Sequence, residues 1–233
     1  PELGRLTAAG FELVFPAPGK QPGEAELLTA LPGCVGMLAG VEPIGRMVLG
    51  AAAPGLKVIS RNGVGVDSID LAAASALGIV IRKADGANAR GVAELAIGLM
   101  LAASRHVARS DRGVRAGGFE RHTGNEVEGR TLGIIGGGNI GRIVARLALG
   151  LGMWPLVHDP FVEQASWPLA EVPLVALDDL FSRADVVTLH CPPAGRPLVD
   201  AGAISRLRKG AILINTARAD LVDPAAVLAG LES

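Results

Sequence analysis

Leu132-Gly133-Ile134-Ile135-Gly136-Gly137-Gly138-Asn139-Ile140-Gly141-Arg142 joins an apolar run to a helical one through three consecutive glycines. Leu132–Ile135 predicts a buried strand, and Ile140–Leu151 predicts a helix. Between them, Gly136 permits a tight turn, Gly138 lets backbone approach a pyrophosphate, and Gly141 lets the helix pack close to the sheet. The first residues of the helix, Asn139 and Ile140, belong to a turn whose free N–H groups and positive dipole end face phosphate oxygens. Glycines at this spacing, after a strand and opening a helix, make the phosphate loop of a dinucleotide-binding Rossmann unit.

The next strand strengthens that reading. Pro155-Leu156-Val157-His158 ends on Asp159, about 20 residues beyond the loop, where a carboxylate accepts hydrogen bonds from the adenosine ribose hydroxyls. A carboxylate there repels a 2′-phosphate, so the expected cofactor is NAD rather than NADP; His158 beside it softens the preference. Ligands of an open parallel sheet lie beyond the carboxyl ends of its strands. After Asp185–Leu189 come His190, Cys191 and Pro192, and after Ala211–Asn215 come Thr216, Ala217 and Arg218. These two loops are expected on the nicotinamide side. A guanidinium at 218 can hold a substrate carboxylate through two parallel hydrogen bonds and polarise a ketone; the alternative is a surface arginine paired with Asp220 or Asp223. His190, at a strand end, suits a structural hydrogen bond better than acid–base work, and none of the four histidines is expected to be the catalytic acid. Cys191 has no evident base beside it and reads as a small apolar wall.

Working outward, strand-like runs at Phe11–Phe15, Val35–Leu38, Lys57–Arg61 and Val80–Arg82 alternate with helical stretches at Glu24–Leu31, Ile44–Ala53 and Ser68–Leu77. Such alternation argues for parallel βαβ units. The predicted fold is therefore α/β, with two doubly wound parallel-sheet domains: residues 1–83 and 84–233. A helix over Asn88–Arg105 is apolar all round, which predicts burial on every side by domain packing or a dimer contact. Asp223 and Pro224 predict the N-cap and first residue of a closing helix. Of the 233 residues, 49% are hydrophobic and 19% charged, with a net charge of −1. That composition predicts a well-buried globular protein and gives no sign of nucleic-acid or membrane binding. The two cysteines, Cys34 and Cys191, lack metal-ligand spacing, so no metal site is expected and a reducing, cytoplasmic setting is the default.

Four motifs together resemble the D-isomer-specific 2-hydroxyacid dehydrogenases, nearest their phosphoglycerate dehydrogenase branch. They are Arg61-Asn62-Gly63-Val64-Gly65-Val66-Asp67-Ser68-Ile69-Asp70, Asn88-Ala89-Arg90-Gly91-Val92-Ala93-Glu94-Leu95, the run from Gly129 through the glycine loop, and Leu213-Ile214-Asn215-Thr216-Ala217-Arg218 with Leu221-Val222-Asp223. The resemblance implies a flavodoxin-like substrate domain beside a Rossmann NAD domain. It implies reversible hydride transfer between NAD(H) and a 2-hydroxy or 2-keto acid, with 3-phosphoglycerate, hydroxypyruvate and glyoxylate among the candidates. Arg218 becomes the catalytic, substrate-binding arginine. Backbone N–H groups around Asn62, Gly63, Val64 and Gly65 would hold the substrate carboxylate, with Arg61 and Asn88 nearby. Thr216, Ala217, His190, Cys191 and Pro192 would border the nicotinamide end. The helix from Asn88 is similar to one that builds a homodimer interface.

The chain departs from the family in what it omits. The family's acid–base histidine and the glutamate behind it follow the arginine by some tens of residues and are not among these 233; a strand ahead of the first helix, Glu2–Ala9, is also missing. The chain is thus read as cut at both ends and inactive on its own. An NAD-binding regulatory protein of the same fold, similar to corepressors, is the alternative from another class. A different Rossmann enzyme, of the alanine dehydrogenase or adenosylhomocysteinase kind, fits the Arg61 and Arg218 motifs poorly.

Overall fold

The computed structural model describes residues 3–232. Its contacts divide the chain into two compact units, one up to Asn88 and one from Ala89 onward; the boundary predicted from sequence followed residue 83.

The first unit contains α1 (Leu3–Ala8), α2 (Glu24–Ala30), β1 (Gly36–Ala39), α3 (Arg46–Ala52), β2 (Val58–Arg61), α4 (Leu71–Ala76) and β3 (Val80–Lys83). The strands form a parallel sheet in the order β1-β2-β3. Leu27, Ile44, Val48, Leu49, Leu56, Ile59 and Ala74 are buried together as its core. Asp70 caps α4, its side chain accepting from the Ala73 amide at 2.8 Å. Glu2, which the sequence reading put in the first helix, lies outside the described residues. Phe11–Phe15 is a correction: no strand forms there, and Phe11, Val14 and Phe15 are each about half exposed. The residues suit a strand, but a strand exists only where a neighbour accepts its hydrogen bonds, and none among the described residues pairs with this segment.

The second unit runs through α5 (Ala89–Ser104), α6 (Val107–Arg115), β4 (Thr131–Ile135), α7 (Asn139–Gly150), β5 (Trp154–His158), α8 (Leu177–Arg183), β6 (Val186–Leu189), α9 (Ala201–Arg206), β7 (Ile212–Asn215) and α10 (Pro224–Leu231), with short 3₁₀ turns at Gln164–Ser166 and Ala219–Leu221. All four strands are parallel, in the order β5-β4-β6-β7. Period-two alternation sorts their side chains between two cores. Leu132 and Ile134 pack with Ala93, Ala96 and Met100 of α5 and Val144, Ala145 and Ala148 of α7. Ile135 and Leu189 face Leu180 and Phe181 of α8 and Ala203 of α9. Helices therefore cover both faces, as parallel sheets require.

Helix α5 is buried along one side. Ala93, Ala96 and Met100 are buried, but Leu95 and Leu99 on the opposite side are 55% and 42% exposed. Among the described residues the helix is covered on one side only. Among the described residues no single helix is long and apolar enough to cross a bilayer, and no group of His, Cys, Asp and Glu is placed to hold a metal ion.

Candidate functional site

The strand register sets the site. Ile135 pairs with His158 on one side and Leu189 on the other, and Leu189 pairs with Asn215. The carboxyl ends of all four strands are therefore level, and the loops after them leave one edge of the sheet.

The glycine turn stands at the centre of that edge. Gly136 has φ +107°, a conformation that side chains disfavour, and a Cβ there would lie 2.7 Å from the carbonyl carbon and oxygen of His190 and 2.9 Å from the Cys191 nitrogen. The turn after β4 thus rests directly on the loop after β6. A Cβ on Gly141 would overlap the Gly136 carbonyl oxygen, so helix α7 sits as close to the turn as backbone permits. Gly138 is different: it is exposed, and a Cβ would meet nothing within 4 Å. It is the N-cap of α7 and offers no side-chain cap, so the orphan N–H groups of the helix remain for an outside acceptor. The Gly138 amide itself donates to no protein acceptor among the described residues. Asn139 is exposed and Ile140 half-buried behind it. An uncapped helix start with an open backbone approach fits the pyrophosphate of a dinucleotide.

Asp159 leaves the end of β5 and turns back on the loop. Its Oδ2 accepts from the Gly137 amide at 2.8 Å and its Oδ1 from the Phe161 amide at 2.9 Å. A carboxylate has about four lone-pair sites, so two bonds leave capacity for ribose hydroxyls. His158 donates from Nδ1 to the Val175 carbonyl at 3.0 Å, which ties the ring to backbone.

The loops after β6 and β7 meet through His190. Its Nε2 lies 3.0 Å from Thr188 Oγ1 and its Nδ1 3.4 Å from Thr216 Oγ1. Burial pushes the imidazole down to about 4, so it is neutral at ordinary pH and serves as a strut. Burial also pushes the Cys191 thiol up, helped by the charges of Asp159 and Asp220, so the residue is a poor nucleophile near neutrality. Pro192 is exposed beyond it. The turn carrying Arg218 is shaped by Asn215, whose Oδ1 accepts from the Ala217 amide at 2.9 Å and whose Nδ2 donates to the Arg218 carbonyl at 2.7 Å. The half-buried Arg218 side chain donates from Nη1 to the Ala217 carbonyl at 2.9 Å. Gly136, Gly138, Asn139, Ile140, Gly141, Asp159, His190, Cys191, Pro192, Thr216, Ala217 and Arg218 thus share one edge of one sheet. Sequence reasoning passed over Asn215; a side-chain amide just ahead of a turn was the available signal.

Arg61, Asn62, Gly63, Val64, Gly65 and Asn88 belong to the first unit. Arg61 is 9% exposed and donates from Nη1 to the carbonyls of Asn62 at 2.7 Å and Ala39 at 3.4 Å, while its Nε is buried without a partner. The guanidinium therefore braces the loop after β2. Gly63 has φ +144°, and Cβ there would lie 3.1 Å from Arg61 Nη1. The amides of Val64 and Gly65 donate to no protein acceptor among the described residues, as a cradle for an anion requires. Asn88 is exposed immediately ahead of α5.

Comparison with known proteins gives this arrangement a family. The model of the D-isomer specific 2-hydroxyacid dehydrogenase NAD-binding domain matches residues 97–233. The chain belongs to the D-isomer-specific 2-hydroxyacid dehydrogenase family. Its second unit is that family's NAD-binding domain. Among curated members of the family it is 37% identical over 211 residues to the D-3-phosphoglycerate dehydrogenase of Mycobacterium bovis, covering 88% of this chain and 40% of that protein. It is 41% identical over 180 residues to the hydroxypyruvate reductase of Thermotoga maritima, covering 76% of this chain and 58% of the relative. Among solved structures it superposes on a Thermus thermophilus protein with a TM-score of 0.87 at 36% identity, over 99% of this chain and 75% of the other. The chain therefore spans 40% and 58% of the lengths of these two curated relatives.

Proposed function

We propose that this chain forms the cofactor site, and part of the substrate site, of an NAD-dependent oxidoreductase that interconverts a D-2-hydroxy acid and its 2-keto acid. 3-Phosphoglycerate and hydroxypyruvate or glyoxylate are the first substrates to try, because relatives named for phosphoglycerate and hydroxypyruvate align over most of the chain. The observation that carries the reading is the continuous contact from Gly136 to His190 to Thr216, which supports an arginine turn and a phosphate turn serving one bound dinucleotide.

In this reading the amino end of α7 neutralises the pyrophosphate, and Asp159 orients the adenosine ribose while disfavouring a 2′-phosphate. NAD, when bound, supplies or accepts the hydride. Arg218 holds the substrate carboxylate and draws electron density from the reacting carbonyl. In the first unit, the open amides of Val64 and Gly65 suit a carboxylate, with Arg61 bracing their loop. His190 keeps Thr216 in place and exchanges no proton, since it stays neutral down to about pH 4.

A panel of 2-keto acids with NADH tests the reading on the full-length protein. At least one should be reduced, and Arg218→Ala should lower kcat/KM for it by about a hundredfold or more, the scale of a lost two-bond ionic contact. No NADH oxidation with any member of the panel would refute the assignment. Unchanged kinetics in the variant would refute the role of Arg218.

A further inference from the structure

A glycine loop specifies backbone, yet the peptide at the middle of this one is held by side chains that the loop pattern does not call for. Gly137 is pinned in three directions. Its N–H donates to Asp159 Oδ2 at 2.8 Å, and its carbonyl accepts from Arg142 Nε at 3.0 Å. A Cβ in place of its hydrogen would come within 3.1 Å of Trp167 Cζ3, so the indole packs against the turn. Trp167 is 6% exposed, and its Nε1 donates to the Val172 carbonyl at 2.8 Å. Arg142 stands above the same ring, its Cζ 5.7 Å from the centroid. It lies in the first turn of α7 and its side chain folds back toward the helix start, the direction long helical side chains take. No other hydrogen bond from its guanidinium to protein occurs among the described residues.

Three glycines in succession have the most conformations to lose. If only a fraction of them places the Gly138 amide correctly, the affinity for a dinucleotide falls by that fraction. Fixing the neighbouring peptide at its N–H, its carbonyl and its Cα removes this penalty before the ligand arrives. We propose that Arg142 and Trp167 act as a pair of positioning residues that hold the Gly137 peptide, and with it the open Gly138 amide, ready for the dinucleotide pyrophosphate. The inference rests on the NAD-dependent reading above and adds to it. The pair links the turn after β4 to the segment following β5, so the phosphate and adenosine parts of the site are set by one contact. Neither residue touches reacting atoms, so the pair acts on cofactor affinity and leaves the chemical step alone.

The chain carries two tryptophans, and they sit in opposite environments. Trp154 is 67% exposed at the start of β5, whereas Trp167 is buried at the glycine turn. In a Trp154→Phe background of the full-length protein, with every tryptophan outside these 233 residues also changed to Phe, Trp167 reports alone, and NADH should quench it with energy transfer to the dihydronicotinamide. Adding Arg142→Gln should raise the NADH Kd about tenfold, the scale of one charge-assisted bond, while kcat at saturating NADH and the thermal midpoint stay at the parent values. Binding to Trp167 variants is read from the fluorescence of NADH itself. Trp167→Phe, which keeps a ring under Arg142 and Gly137, should stay near wild type, and Trp167→Leu should weaken binding. An Arg142→Gln protein that binds NADH as tightly as its parent would overturn the proposal, even if Trp167→Leu fails to fold. So would a variant whose kcat and thermal midpoint fall along with affinity, since that marks general damage. If the parent protein itself shows no NADH binding, the NAD-dependent reading falls and this inference with it.

Discussion

At Asp159 two oxygens already serve backbone amides, Gly137 on one side and Phe161 on the other. The carboxylate anchors the turn, and in the proposed site it also faces the ribose; substitution separates the two. Asp159→Ala should raise the NADH Kd by about tenfold or more, as befits a charge-assisted bond, while NADPH loses less because the repulsion of its 2′-phosphate is relieved. Equal losses for the two cofactors, measured by titration, would mean that the residue only holds the turn. His190 makes a second prediction through its burial. Its imidazole titrates near 6.5 in the unfolded chain and near 4 in the folded one. Above pH 6.5 neither state holds the proton and the contribution to stability is whole; it is lost as pH falls toward 4, because the unfolded state takes up the proton first. The slope from this group approaches about 1.4 kcal/mol per pH unit. Urea midpoints followed from pH 6.5 down to 4 should therefore fall more steeply for the wild type than for His190→Asn, and parallel curves would reject the assignment. Both residues were singled out in the sequence from their place after a strand. The Phe161 contact of Asp159 is local, but Thr216 and Gly137 were not legible as partners, because they reach these residues only once parallel strands are in register.

Among elements, helix α7 and the turn before it carry two glycines with opposite duties. Gly141 is where the helix touches the Gly136 carbonyl, and any Cβ must push helix and turn apart. Gly141→Ala should lower stability by about 1–3 kcal/mol, the usual penalty for overpacking, and abolish NADH binding. Gly138 has φ −72° and open space where a Cβ would go. Gly138→Ala should leave the thermal midpoint unchanged and still weaken NADH sharply, because the methyl group occupies the approach to the backbone. A loss of stability in Gly138→Ala with normal NADH binding would reverse these roles. Such elements are legible in sequence because each local choice agrees with the fold: apolar run, glycine spacing and helix follow one another without conflict. Phe11–Phe15 marks the limit. Its residues prefer a strand, but pairing is a property of neighbours, and a propensity without a partner leaves an extended, exposed segment. Trp167 marks another: an aromatic residue in an irregular stretch gives no periodicity from which its contact with Gly137 could be read.

For the molecule as a whole, the exposed side of α5 is the feature that a single chain does not explain. Its inner side, Ala93, Ala96 and Met100, is fully used by the core with α7. Its outer side presents Leu95 and Leu99, with Gly91 four residues before Leu95 and Gly98 three after it. Spacings of three and four residues put these on one stripe, and the small residues allow another helix to come close. Leucines more than two fifths exposed on a helix with no charge between Glu94 and Arg105 suit an association surface better than a solvated one. We expect a homodimer in which this stripe meets its copy across a two-fold axis, since a self-complementary patch then serves both chains. The double substitution Leu95→Glu, Leu99→Glu places four like charges in such an interface. It should convert the dimer to a monomer in light scattering or sedimentation. NADH affinity should stay near wild type, because neither residue contacts the cores that support the glycine turn. The separation of these two readouts is the informative part: lost assembly with retained NADH binding locates the interface on α5. An unchanged mass would place any association elsewhere, and a wild-type protein already monomeric at micromolar concentration would remove the dimer.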